Sequence, residues 1–164
     1  MASQSSYRVL GVDPGTRVVG WALVEQQGRS YRLLASGSIA PAGKSRESRL
    51  AEIYAQLHEA ARKHAPDAAA VEEVFAGKNL KSALAIGEGR GVALAALGAA
   101  GLEVAPYAAK VIKRAVTGNG SASKEQVARM VALQMGLAKP PAPEDVTDAC
   151  AVALTHLIRR AVPA

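Results

Sequence analysis

The sequence predicts a mixed α/β fold: a five-stranded sheet with helices on both of its faces. Three observations carry that expectation. The first forty residues hold three short apolar runs separated by turn signals; a segment with helical periodicity follows; strand-like and helix-like segments then alternate toward the end.

The elements follow in order. Residues 7–13, 18–25 and 31–40 read as strands, punctuated by Pro14-Gly15 and Gln26-Gln27-Gly28, and together suggest an antiparallel meander. Over residues 45–64, Leu50, Ile53, Tyr54 and Leu57 recur at helical spacing, which puts them on one face. Residues 68–74 make a fourth strand. Residues 79–100 read as a helix despite Gly87, Gly89, Gly91 and Gly98, each of which costs about 1 kcal/mol against alanine. So many glycines predict close approach to another backbone. Residues 102–106 form a fifth strand and 108–116 a short helix. Ser123 and Gln126 are spaced as a capping box for a helix over 123–135. After the proline-rich loop 139–143, a last helix spans residues 144–160, with Pro143 at its entry.

Composition bounds the function classes. Apolar residues make up 49% and charged residues 21% of 164, material for one continuous core. Lysine and arginine outnumber acids by 20 to 14, a net charge of +6, which suits a polyanion as partner. The single cysteine, Cys150, excludes an internal disulfide framework and a multi-cysteine zinc site. It suits a small buried position. No stretch approaches the length of a membrane span, and residues 1–6 lack the apolar run of a signal peptide, so the expected location is cytoplasmic.

The acids are informative by position. Asp13 ends the first strand in Gly11-Val12-Asp13-Pro14-Gly15, and Glu72 lies near the end of the fourth. If those strands pair, about 4.8 Å apart, the two carboxylates face each other. Asp145 and Asp148 stand at i and i+3 on the last helix and project from one side of it. Taken alone, Asp13 suits an ordinary turn, and Asp145 and Asp148 suit the positive end of a helix dipole. Glu72 in an apolar strand is harder to account for without a partner. Packed together, the four would form an all-oxygen donor set suited to Mg²⁺ or Mn²⁺ and to hydrolysis of phosphodiesters by two ions. Phe75, the only phenylalanine, follows the acidic strand end and either packs in the core or stacks on bases. Lys110, Lys113, Arg114 and Lys124 concentrate positive charge after the fifth strand. The loop Gly118-Asn119-Gly120-Ser121 reads either as a cradle of backbone N–H groups for phosphate or as a surface turn. His156, two helical turns beyond Asp148, either touches the site or, the reading preferred, is structural.

The motifs also carry a family resemblance. Gly11-Val12-Asp13-Pro14-Gly15-Thr16-Arg17 with Val19-Gly20-Trp21-Ala22 resembles the opening of the RuvC family, whose fold is ribonuclease-H-like and whose members cut four-way (Holliday) DNA junctions. The likeness continues in order through Glu72-Glu73-Val74-Phe75 and then Asn79, Ser82-Ala83-Leu84 and Gly89-Arg90-Gly91-Val92-Ala93. It runs on through residues 116–122 with Lys124, and through Asp145-Val146-Thr147-Asp148-Ala149 with Thr155-His156. The resemblance implies that residues 7–162 form one nuclease domain after an N-terminal extension of residues 1–6. It implies Asp13, Glu72, Asp145 and Asp148 as catalytic acids that bind Mg²⁺, two ions per site, with Mn²⁺ as a substitute. It further implies DNA contacts by Phe75, Lys113 and Lys124, a homodimer that cuts two strands symmetrically in recombination and repair, and the branch-migration proteins RuvA and RuvB as partners. Glu73 departs from the family, where a neutral glutamine is expected; strand alternation points it away from Glu72, so it is not assigned as a ligand.

Overall fold

Strand alternation and two hydrophobic layers organise the chain, for which a computed structural model describes residues 6–15, 17–73 and 80–161. The expectation for Phe75 therefore lies outside the described residues, as do residues 1–5. Strands β1 (Ser6–Pro14), β2 (Val19–Gln27) and β3 (Ser30–Ile39) form the antiparallel meander. Helix α1 (Arg46–His64), strand β4 (Ala68–Glu73), helix α2 (Leu80–Ala99) and strand β5 (Val104–Ala108) follow, then α3 (Ala109–Thr117), α4 (Lys124–Gln134) and α5 (Glu144–Arg160). The sheet order is β3-β2-β1-β4-β5, with β4 parallel to both β1 and β5. Ser6, placed by the sequence in an extension, already pairs with Gln27.

The side-chain period of two divides the strands between two cores. Val9, Val24 and Ala70 point to a layer built from α3, α4 and α5. Leu10, Val12, Leu23, Ala69 and Val71 point to the opposite layer, built from α1 and α2. By the same alternation Asp13 and Glu72 fall on the α5 side of the sheet, while Glu73 falls on the other. Of the four residues expected to share the α1 face, Ile53 and Leu57 are buried, but Tyr54 is exposed and stacks on His58. Ala60 and Ala61 complete the buried stripe instead.

Helix α5 can lie directly on the sheet because two strands offer glycine beneath it. A Cβ at Gly11 would meet the carbonyl oxygen of Ala149 at 2.2 Å, and one at Gly20 would meet that of Asp145 at 2.0 Å. Gly20 pairs across the ladder with Asp13, so this close approach seats the first turn of α5 beside that acid. Gly20→Ala is expected to cost about 1–3 kcal/mol, because the obstruction is backbone and cannot rotate away. Urea unfolding checks this, and unchanged stability would show that α5 does not rest there.

Two expectations about local structure require correction. Strand β5 begins two residues late, since Leu102 closes the end of α2: Gly101 takes a φ of 79° and the Leu102 amide donates to Leu97 O at 3.2 Å. Its apolar side chain packs on the α1–α2 core, which gave it a strand-like look. The glycines of α2, expected to approach another backbone, do not do so closely among the described residues of this chain. Among the described residues, a Cβ at Gly87, Gly91 or Gly98 would find no atom within 4 Å, and one at Gly89 only Gly15 O at 3.8 Å.

Candidate active site

Asp13 and Glu72 come together through the register of β1 and β4. Val12 lies opposite Val71, so the next residue of each strand places its carboxylate on the α5 side. The Gly15 amide donates to Asp13 O at 3.0 Å, turning the chain sharply after the acid. Helix α5 starts beside them, with Thr147 Oγ1 donating to Pro141 O to fix the preceding loop. Asp148, one turn into the helix, then faces Asp13 and Glu72.

These three acids line one cleft of about 260 Å³, together with Lys113 of α3 and Lys124 of α4. Apolar side chains, Ile86 of α2 and Ile112 and Val127 of the opposite layer, wall it. Asp145 does not line the cleft. Its Oδ1 would lie 4.0 Å from a Cβ at Gly15, which places it at the rim, and its charge still acts on Asp13 and Asp148. The sequence did not single out the walling residues, because apolar side chains at helical spacing carry no mark of which cleft they border.

Electrostatics make the cleft unusual. Burial, followed by the charges of Glu72, Asp148 and Asp145, raises Asp13 from an ordinary 3.8 to about 7, against the opposing pull of Lys124. Burial is also the main cause that raises Glu72 and Asp148, with Lys124 opposing it in both. Carboxylates that resist ionising together favour a cation among them.

The donor set fits Mg²⁺ or Mn²⁺: it is all oxygen, with no thiolate or imidazole in the lining. Among the described residues, no three His, Cys, Asp or Glu side chains are gathered closely enough to hold one ion as they stand. The fit therefore rests on donor chemistry and mutual repulsion, not on a ready cage.

A helix cap sets the position of Lys124. Ser123 caps α4: its side chain accepts from the Gln126 amide at 3.2 Å, and Gln126 Oε1 accepts from the Ser123 amide at 2.8 Å. That expected capping box sets the first residue of the helix, Lys124, at the cleft. Lys124 Nζ lies 2.6 Å from Glu144 Oε1 and 3.4 Å from Asp148 Oδ2. Glu144 is a partner the sequence reading missed, although it stands four residues before Asp148 on the same helix face.

The loop after α3 favours the surface-turn reading. The Asn119 amide donates to Thr117 Oγ1, the Ser121 amide to Asn119 Oδ1 and the Ala122 amide to Asn119 O. Those N–H groups are thus engaged within the loop and not offered to phosphate. His156 bonds through Nδ1 to the Tyr107 hydroxyl at 3.0 Å, away from the cleft, in keeping with a structural role. Cys150 is fully buried, and burial pushes its thiol up to about 12.

Known proteins match this chain over nearly its whole length. The family model described as crossover junction endodeoxyribonuclease RuvC matches residues 9–156. A relative of that name from Chloroflexus aggregans is 46% identical over 150 residues, covering 91% of this chain and 92% of its own length. Among solved structures, RuvC of Thermus thermophilus superposes with a TM-score of 0.86 at 34% identity, covering 93% of this chain and 95% of that one. The same protein in complex with a Holliday junction substrate gives a TM-score of 0.84 at 32% identity, covering 93% and 94%. No helix among the described residues is long and apolar enough to cross a membrane.

Proposed function

The chain belongs to the RuvC family of crossover junction endodeoxyribonucleases, and on that premise we propose that it resolves four-way DNA junctions by paired, metal-dependent phosphodiester hydrolysis. One observation supports this above the others: three partly buried carboxylates and two lysines line a single cleft at the strand ends. Relatives named for the same activity match more than nine-tenths of the chain. A structural relative solved with a Holliday junction substrate adds to the case for junction DNA as ligand.

In this reading Asp13, Glu72 and Asp148 of the cleft, joined by Asp145 from its rim, would hold the metal, and Lys113 and Lys124 would receive the scissile phosphate. Two Mg²⁺ ions, or Mn²⁺ in their place, when bound supply an activated water and stabilise charge on the departing 3′ oxygen. The two ammonium groups bind and orient non-bridging phosphate oxygens, while the walls formed by Ile86, Ile112 and Val127 limit water around the reacting group. Phe75 is assigned to contact the opened bases on the family resemblance.

A homodimer extends the reading, because two strands must be cut. Helix α2 supports it: Leu80 and Leu84 are 74% and 57% exposed, and Gly87, Gly91 and Gly98 continue that face without a neighbour among the described residues. An isologous pairing of α2 would cover such a stripe. RuvA and RuvB remain the proposed partners on the family's account, and recombination and repair its setting.

The test is to incubate the protein with a labelled four-way junction, a linear duplex of the same sequence and an RNA–DNA hybrid, each with Mg²⁺ and with EDTA. Paired nicks confined to the junction and dependent on Mg²⁺ are expected, from a species that sediments as a dimer. Cutting of the hybrid alone would overturn the reading. Lys124→Ala is expected to weaken junction binding and to flatten its dependence on salt, by up to about 0.9 in the log–log slope. An unaltered slope would remove Lys124 from the contacts.

A further inference from the structure

Among the described residues, Lys124 has its ammonium already held by carboxylates of α5, and the nearer of them belongs to a residue without an assigned role. Glu144 Oε1 lies 2.6 Å from Lys124 Nζ, closer than Asp148 Oδ2 at 3.4 Å. Glu144 and Asp148 are one helical turn apart, so α5 presents two carboxylates to a single ammonium. They differ in their setting. Asp148 lines the cleft and is largely shielded, whereas Glu144 and Lys124 are both about two-thirds exposed, at 66% and 67% of their side chains. An ion pair open to water is held by little and is exchanged readily.

We propose that Glu144 is the exchange partner of Lys124: its carboxylate holds the ammonium at the mouth of the cleft in the free protein and yields it to a DNA phosphate on binding. The inference rests on the reading of the cleft as the nuclease site. Three consequences follow from charge. A phosphate must displace the carboxylate to claim Lys124, so the lysine contributes less to affinity than a free one would. Glu144 itself repels the DNA once released. After strand scission the same carboxylate is at hand to take the ammonium back, which favours departure of the nicked product. The preference of Lys124 for its charged form, raised first by the Glu144 hydrogen bond, is in keeping with that tie.

The experiment is a double-mutant cycle on junction binding, measured in EDTA so that no strand is cut, across a range of salt. Glu144→Gln keeps the size and hydrogen-bonding shape of the side chain and removes only its charge. It is expected to tighten binding several-fold at about 50 mM salt and to steepen the log–log slope by up to about 0.9, with the gain fading as salt rises. In a Lys124→Ala background the same substitution should change affinity and slope much less, since the ammonium it frees is gone. Equal effects in both backgrounds would mean that Glu144 acts only as general surface charge, and the proposal would fall. Unchanged or weaker binding by Glu144→Gln, in protein whose thermal unfolding matches the parent, would overturn it too. The parent protein is assayed beside them with Mg²⁺: if it cuts junctions and the cycle shows no coupling, only the role of Glu144 is lost. If it neither binds nor cuts them, the nuclease reading fails and this inference with it.

Discussion

Asp148→Asn is expected to lower the rate of junction cleavage by about a thousandfold or more while leaving junction binding within a few-fold of the parent. The reason is the separation of tasks in the cleft. Asp148 is the acid that both faces Asp13 and Glu72 and lies within reach of Lys124, so the proposed metal and phosphate sites meet at its carboxylate. Replacing a ligand oxygen pair by an amide removes charge from the donor set, and metal assistance is worth several kcal/mol of transition-state stabilisation. Since about 1.4 kcal/mol is tenfold in rate, loss of even half of it is severe. Binding relies on the basic side chains, which the substitution leaves in place; removing a nearby negative charge does not weaken the hold of Lys124 on DNA. Single-turnover cleavage and equilibrium binding on the same junction separate the two effects. A variant that still cuts at near the parent rate would exclude Asp148 from the proposed role, and one that cuts poorly only because it no longer binds would move that role from chemistry to recognition.

Much of this architecture was legible because the strands announce themselves locally. The meander of β1, β2 and β3 follows from apolar runs bounded by Pro14-Gly15 and Gln26-Gln27-Gly28, and the strands break beside both signals, β1 ending at Pro14 and β2 at Gln27. Parallel pairing of β1 with β4 was the step that placed Asp13 beside Glu72, and the observed register of Val12 with Val71 agrees with it. The capping box at Ser123 was equally readable, since its two bonds join residues three apart. What the sequence concealed depends on contacts between distant segments. Gly11 and Gly20 look like ordinary strand residues, and only the position of α5 shows why neither tolerates a side chain. Asp145 and Asp148 share one helix face, yet only Asp148 lines the cleft, a distinction that helical spacing does not carry. Glu144 was hidden for a similar reason: its partner Lys124 lies twenty residues away on another helix.

Asp13→Asn is expected to make the metal-free protein more stable at pH 8 even as it disables cleavage. The folded protein raises this carboxyl from 3.8 to about 7, chiefly by burial and then by the charges of Glu72, Asp148 and Asp145. A raised carboxyl pKa means that the folded state binds the proton more tightly than the unfolded state. Between about pH 4 and 7 the folded chain therefore carries more bound proton, and stability falls as pH rises through that window. Above it the cost of an ionised, crowded Asp13 is complete; below it both states are protonated and the cost vanishes. A shift of this size corresponds to a few kcal/mol at most, and partial exposure of the cleft reduces it, so the variant should gain on the order of 1–3 kcal/mol at pH 8 in EDTA. The gain should shrink toward pH 4. Saturating Mg²⁺ should reverse the ranking, since binding to the folded state stabilises the parent and far less a variant that lacks a ligand. Urea unfolding of both proteins at the two pH values, with EDTA and with Mg²⁺, tests the whole set. If the variant is less stable than the parent at pH 8 in EDTA, Asp13 is held by favourable bonds in the folded chain, and the repulsion that points to a cation in this cleft is absent.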